Sequence, residues 1–557
     1  MASFWQNNPE RTGYHSYKNT LANISSSSSF CTATTTKIEQ ADALNSQNEL
    51  AKAFGIYKDI LGANAEHADA LFGIGLILEK QRKFGLAIQF LSKALESNPG
   101  KMQALMARGR MFRLQGMFEN AILDFTEVIA KQADDFEALI ARGIAFGQTG
   151  QLDAAIEDFS SAIRINAHCS EAFYNRGVVY EKLQNFDSAI EDYSTAIKLN
   201  PNDYKAYNNR GVAWRKTKCF EAAVEDFDKS VKIDPNFAEG YYNKSLALLS
   251  NGNLEQGFRL YEYRWKTAHF QSQIRDFSEP LWLGNSDITN KTILIYSEQG
   301  FGDSIQFCRY INLFKNVKCR VLLEIERPLM RLMQSLLPTD QIFEKGSCLP
   351  PFDYHCPLMS LPHAFGTKVE NVPFPSAYLN ISLDRKKYWQ KRLGAKTKPR
   401  VGIAWQGNPS HLNDQRRSIP LIKIIDCLSP SFEWISLQKE VSSSDEAVIS
   451  QHGKIRHFGK EIGDFLDTAS LCHNLDAILS VDTAIAHLAG AIGNRVYLLL
   501  AYVPDARWCL TGSNTPWYAN MILYRQGNPN EWLPLLRQSQ ADMLKDYDNR
   551  TRSWNTN

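Results

Sequence analysis

The pattern of apolar and polar positions changes character twice along this 557-residue chain. Up to about residue 35 it is rich in Asn and Ser, including the run Ser25–Ser29, and carries no sustained apolar periodicity, which predicts a disordered leader over 1–35. Residues 36–271 then repeat themselves. Small residues recur as Gly75, Gly109, Gly143, Gly177 and Gly211, and as Ala53, Ala87, Ala121, Ala155, Ala189 and Ala223. Large apolar residues recur as Tyr57, Leu91, Phe125, Phe159, Tyr193, Phe227 and Tyr261, and every series advances by 34. Pro99, Pro201 and Pro235 fall at unit ends. One such unit cannot bury its own apolar face, so about seven of them are expected to stack into an α-solenoid.

From about residue 290 the pattern becomes short apolar runs alternating with helical stretches. The runs are Thr292–Tyr296, Arg320–Ile325, Gln341–Phe343 and Tyr354–Cys356, then Arg400–Trp405, Glu433–Leu437, Ile455–His457, Ala477–Val481 and Arg495–Leu500. This βαβα order predicts parallel sheets with helices on both faces. It divides into an N-terminal lobe at 291–384 and a C-terminal lobe at 400–528, with linkers at 272–290 and 385–399. A helix over Asn530–Asp546 and a tail complete 529–557. Two doubly wound halves imply a cleft facing the strand ends of both.

Composition narrows the function classes. A formal net charge of +2 gives no global pull toward nucleic acid or an anionic membrane. The ten cysteines are scattered without a CxxC pair, which argues against a zinc site or a disulfide framework and suits a reducing, cytoplasmic setting. The longest apolar run, Val496–Val503, is too short to span a bilayer, and no secretory signal is evident.

Within the repeats the residue types co-vary. Arg108, Arg142, Arg176 and Arg210 share one position, and Asp124, Asp158, Asp192 and Asp226 lie sixteen residues later. Where the first is Ile74 the second is Phe90, and where it is Lys244 the second is Leu260. The pairing predicts an ion pair between the two helices of a unit or between neighbouring units. The period and pattern resemble the tetratricopeptide repeat, a helix-turn-helix unit whose family binds peptides or proteins on the concave face. Asn175, Asn209 and Asn243 share another position, where carboxamides in a row suit an extended peptide backbone. That register resembles the asparagine ladder of O-GlcNAc transferases, and implies weak acceptor-binding residues. The last unit, Gly257–Trp265, keeps its aromatic positions but loses the regular ending, as a unit meeting a new domain must.

The candidate chemistry lies in the second half. Asp476–Gly493 reads as a buried strand, a turn at Asp482-Thr483 that caps a helix, and a small-residue helix with His487 one turn in. The uncapped N–H groups and dipole of such a helix end attract a nucleotide diphosphate. Asp303 follows the first strand in a glycine-rich turn, where it suits either a helix cap or a general base. Arg416 and Arg417 offer guanidinium forks for phosphate oxygens.

Three motifs, Gly300-Phe301-Gly302-Asp303, Trp405-Gln406-Gly407-Asn408-Pro409 leading to Arg416-Arg417, and Ser480-Val481-Asp482-Thr483-Ala484 with His487, together resemble the bacterial heptosyltransferases (glycosyltransferase family 9), which have the GT-B fold. The resemblance implies an inverting glycosyltransferase that needs no metal or cofactor. Asp303 would be its base, and Gly302, Arg416, Arg417, Gln438, Asp482, Thr483, Ala484 and His487 its donor-binding residues, with Glu298 and Gln299 on the acceptor side. Ala484 stands where the family usually has Gly, and heptosyltransferases lack the repeats, a fusion shared instead with the O-GlcNAc transferases. The expected partners are a nucleotide-diphosphate sugar and a protein or peptide. The alternatives are a non-catalytic scaffold with a degenerate nucleotide-sugar fold, and a transferase acting on an envelope saccharide.

Overall fold

The structure, a computed structural model, describes residues 24–410 and 414–555 and falls into two compact units, Met1–Pro201 and Asn202–Asn557. In the first unit helical hairpins follow one another: α1–α2 (Ile24–Ser46, Leu50–Ala63), α3–α4 (Ala68–Lys80, Phe84–Ser97), α5–α6 (Met102–Leu114, Phe118–Lys131), α7–α8 (Phe136–Thr149, Leu152–Ile165) and α9–α10 (Ser170–Lys182, Phe186–Leu199). The expected leader corrects in part. Residues 1–23 lie outside the described residues, but from Ile24 the Ser-rich run is the start of α1. Once its later turns pack, with Ala41 fully buried, each further residue adds a helical hydrogen bond at little cost.

The repeat glycines lie where two helices meet. A methyl group on Gly143 would come 2.9 Å from the Phe159 ring, and one on Gly177 would come 2.9 Å from Tyr193. The co-varying charges pair within each hairpin. Arg142 forks onto Asp158 at 2.7 and 2.8 Å and also donates to Thr126 of the preceding hairpin at 3.1 Å. Arg108 and Arg176 repeat the arrangement with Asp124 and Ser92, and with Asp192 and Ser160. Burial pushes the carboxyls of Asp124 and Asp192 above the usual range despite the opposing arginine, as expected of pairs largely taken out of water.

The second unit opens with two more hairpins, α11–α12 (Tyr204–Lys216, Phe220–Ile233) and α13–α14 (Ala238–Ser250, Leu254–Tyr261). Arg210 forks onto Asp226, while Lys244, with Leu260 opposite, turns back to Asp228. A first parallel sheet has strand order β3-β2-β1-β4, built from β1 (Thr292–Tyr296), β2 (Arg320–Ile325), β3 (Ile342–Glu344) and β4 (Tyr354–Pro357). Helices α15 (Phe301–Phe307), α16 (Met330–Met333) and α17 (Leu361–Ala364) accompany it. After α18 (Leu383–Leu393), a second parallel sheet follows in the order β10-β9-β8-β5-β6-β7. Its strands are β5 (Arg400–Ala404), β6 (Glu433–Ser436), β7 (Ile455–His457), β8 (Ala477–Val481), β9 (Val496–Leu500) and β10 (Met521–Arg525). Its helices are α19 (Asp414–Arg417), α20 (Leu421–Ile424), α21 (Ser443–His452), α22 (Phe465–His473) and α23 (Ala484–Ala491), with α24 (Leu533–Asn555) at the end.

Both expected linkers carry structure. In 272–290 Trp282 is 5% exposed and its backbone N–H bonds the carbonyl of His355 at 2.8 Å, so this stretch extends the first sheet beside β4. In 385–399 the charged run is mostly α18, because Trp389 is fully buried and Arg385 pairs with Asp467. The sixth strand of the second sheet, β10, is an addition to the expected set. Its short run, Met521–Arg525, follows closely on the aromatic stretch Thr515-Pro516-Trp517-Tyr518. In both sheets the chain reverses direction of strand addition at one place, between β1 and β4 and between β5 and β8. Loops leaving the carboxyl ends of strands flanking such a reversal form crevices. The stretches Ser297–Asp303, Trp405–Gly407 and Asp482–Thr483 leave there.

Candidate functional site

The turn after β1 is tied to the last helical repeat. Arg264, just past α14 and fully buried, donates to Glu298 Oε1 at 2.9 Å, to Glu262 Oε1 at 2.8 Å and to Ser360 Oγ at 2.8 Å. Its guanidinium lies 4.7 and 4.4 Å from the ring centres of Tyr261 and Trp265. Burial pushes the Glu298 carboxyl up to about 7, against the pull of Arg264, and its second oxygen is buried without a hydrogen-bond partner. Glu298 is therefore part of a buried clasp rather than the acceptor wall that the resemblance implied. Gln299 does line a cavity, with its amide donating to the Tyr261 hydroxyl at 2.8 Å.

Asp303 sits in the first turn of α15. One carboxylate oxygen accepts the Gly300 N–H at 3.1 Å, which is the helix-end role; the other accepts from Arg507 Nη2 at 2.7 Å. Beside it, Gly302 is where α15 meets α23. A methyl there would come 3.0 Å from His487 Cδ2 and 3.6 Å from Ala484 Cα. Gly302 and Ala484 thus serve a close approach between two helix starts, and Ala484 presents that start to α15.

Thr483 caps α23, with its hydroxyl accepting the Ile485 N–H at 3.3 Å. Asp482, just before it, lines the cavity with a side chain 14% exposed. Burial and the nearby Asp505 push its carboxyl above the usual range, while Arg507 opposes them. His487 is 2% exposed and stacks on Trp508 with ring centres 5.0 Å apart. Burial, and the adjacent Arg507, hold its pKa well below the ordinary value, so the ring is neutral and its 4.0 Å approach to Asp482 is no ion pair. Since Arg507 approaches Nε2 at 3.5 Å, the ring proton belongs on Nδ1, which then donates to the Tyr518 hydroxyl at 2.9 Å. His487 is thus a satisfied buried histidine that backs Arg507, a correction to its reading as a donor contact.

Arg416, Arg417, Asp482, Asp505 and Arg507 line one cavity of about 520 Å³, which also takes in Tyr242, Tyr261, Phe270 and Trp517, and Arg215 and Lys216 at the end of α11. Arg417 is braced by Asp414 at 3.2 Å and lies over Gly407, where a methyl would come 2.7 Å from its Nη2. Residues 411–413, within the second motif, lie outside the described residues. Gln438 accepts the Gln406 N–H on its Oε1 at 3.2 Å and so ties the end of β6 to the end of β5, and it is not among the residues lining the cavity of Arg416, Arg417 and Asp482.

The asparagines are engaged locally. Asn175, in the first unit, donates to the Glu171 carbonyl of its own helix at 2.9 Å. In the second unit Asn243 donates to Asn208 at 2.9 Å, and Asn208 donates to Asn209 at 3.1 Å.

Sequence reasoning missed Arg507 as a hub. It bonds Asp303, Asp505 at 2.8 Å and Gln306 at 2.9 Å. In sequence Asp505-Ala506-Arg507-Trp508 reads only as an aromatic loop that could stack on a base or close the cleft; of the guanidinium's partners Asp505 is local, while Asp303 and Gln306 come from a segment some two hundred residues away. Sequence reasoning missed Arg309 as well, although a lone cation among apolar helix positions is a signal that could have found it. It is fully buried and donates to the Trp517 carbonyl at 2.6 Å, joining α15's extension to the loop before β10.

Comparison with known proteins bears on the repeats. Models described as the tetratricopeptide repeat match residues 38–101 and 106–168, 170–203 and 204–237, and 227–258. The chain carries tetratricopeptide repeats between residues 38 and 258. It is similar to protein FlbA of Caulobacter vibrioides, at 22% identity over 330 residues, and spans about half of that relative's length, 54% of each chain. Among solved structures it is similar to MamA, with 26% identity, 30% of this chain, 97% of that one and a TM-score of 0.28. It is also similar to a tetratricopeptide repeat protein from Parabacteroides merdae, with 19% identity, 42% of this chain, 94% of that one and a TM-score of 0.37.

Proposed function

We propose that the chain is a glycosyltransferase of GT-B type. It moves a sugar from a nucleotide-diphosphate donor to an acceptor hydroxyl, and its repeats recruit a protein or peptide acceptor. The observation that carries the reading is the convergence of the three motif segments. The Asp303 turn abuts the start of α23 through Gly302, Arg507 bonds Asp303 and approaches His487 of α23 at 3.5 Å, and Arg507, Arg416, Arg417 and Asp482 line one cavity. The strand orders, with one reversal in each parallel sheet, support a donor crevice at that place.

In this reading the acceptor oxygen bonds the anomeric carbon from the face opposite the diphosphate. The carbon–oxygen bond to the diphosphate breaks, its electron pair stays on the phosphate oxygen, and the acceptor proton passes to Asp303. Charge building on the leaving diphosphate meets the guanidinium groups and the α23 start. A panel of nucleotide sugars added to the full chain tests this by thermal shift. One member raises the transition, since a ligand at a hundredfold excess over Kd adds about 2.7 kcal/mol to a fold it alone binds. If no member moves the transition, the proposal fails.

A second reading, a scaffold that binds partners through its repeats, is favoured by the family matches falling wholly on the repeats. Asp303→Asn separates the two. It abolishes transfer in an enzyme and changes nothing in partner capture by a scaffold.

A further inference from the structure

Arg507 differs from the other cavity cations in being shared by carboxylates that the proposed chemistry needs or tolerates badly. Its Nη2 meets Asp303 at 2.7 Å, its Nε meets Asp505 at 2.8 Å and its Nη1 meets Gln306 at 2.9 Å, while Asp482 faces the same cavity. The side chain is 17% exposed, so it reaches the cavity, but its backbone is anchored because the next residue, Trp508, is fully buried and stacked on His487. A guanidinium holding two carboxylates and opening onto a cavity is a fork that a diphosphate can claim, since phosphate oxygens offer denser charge and a matching bidentate geometry. The neutral His487 behind it, within 3.5 Å, adds no repulsive charge to that exchange.

We propose that Arg507 contacts the donor's diphosphate and, in turning to it, releases Asp303 to take the acceptor proton, so that the base becomes available only when donor is in place. The assignment rests on the transferase reading. It makes Arg507 a substrate-contacting residue and gives Asp303 and Asp505 a second role, as competitors for the guanidinium.

The competition has opposite signs in different variants. Calorimetric titration of the full chain with inorganic pyrophosphate and with uridine, guanosine, adenosine and thymidine diphosphates reads it. For the diphosphate that wild type binds best, Arg507→Ala weakens binding about tenfold or more, the loss expected of one charge-assisted contact. Arg507→Lys, which keeps the charge and spares the fold if the alanine variant fails to fold, weakens it too, because the fork is lost. Asp303→Asn and Asp505→Asn tighten binding several-fold by removing a competitor, and Asp303→Asn does so while transfer is lost. Wild-type affinity in Arg507→Lys, or unchanged or weaker affinity in both asparagine variants, overturns the inference and leaves the transferase reading standing. Failure of wild type to bind any of these diphosphates overturns both.

Discussion

At the scale of single residues the site is governed by what lies behind the cavity wall as much as by what lines it. Gly302 has Asp303 beside it and the His487 ring in front of it. That ring is held between Trp508 and the Tyr518 hydroxyl, so it has nowhere to move when a methyl arrives 3.0 Å away. Gly302→Ala is expected to cost about 1–3 kcal/mol of stability, the usual penalty of overpacking, and to lower turnover more than a neutral surface change does. Thermal unfolding and initial rates check this, and an unchanged transition would remove the close-approach account of Gly302. Asp303, Asp482 and Thr483 could be placed from sequence because each follows a strand or opens a helix, where spacing dictates position, and Arg416 and Arg417 because they stand out as a cation pair in the stretch after β5. Arg507 and the burial of His487 were not, because the contacts that define them join segments remote in sequence, and a periodic pattern records only local neighbours.

At the scale of elements, the clasp between the end of α14 and the end of β1 joins the last repeat to the first sheet. Glu298 is raised to about 7 in the folded protein against an ordinary 4.5, chiefly by burial. Between those values the folded protein holds a proton that the unfolded chain has released. The stability Glu298 contributes is therefore full below about pH 4.5 and is lost as pH rises through about 7. Glu298→Gln cannot titrate, so wild type should lose stability relative to this variant between those pH values. Unfolding midpoints measured across that window decide the matter, and parallel curves would contradict it. In the repeats, the Arg–Asp pairs were readable because residue types change together within one chain: Ile74 with Phe90, Lys244 with Leu260. Asp158→Ala leaves Arg142, only 18% exposed, without its partner and should cost about 3–5 kcal/mol in chemical denaturation. What the pattern concealed was the structure of the linkers, since most charges of 385–399 are exposed, and Lys387, Lys391 and Arg392 among them lie on a helix that buries Trp389.

At the scale of the whole molecule, periodicity foretold the repeats and the two parallel sheets, and each rests on a physical rule that operates over short stretches. The meeting of residues from the loops of both sheets and from the last repeat in one cavity depends on long-range packing, which composition and spacing do not carry. Every residue lining that cavity lies beyond Asn202. Donor binding should therefore be indifferent to Asp158→Ala so long as the chain remains folded, as calorimetric titration of this variant would show. The central claim, that a nucleotide-diphosphate sugar occupies this cavity, is tested most directly by hydrogen–deuterium exchange of the full chain with and without the nucleotide sugar that stabilises it best. The account predicts slowed exchange in the peptides holding Gly300–Gln306, Arg416–Ser418, Asp482–His487 and Asp505–Trp508 together. Slowing confined to the helical repeats, or none in these four segments, would contradict it.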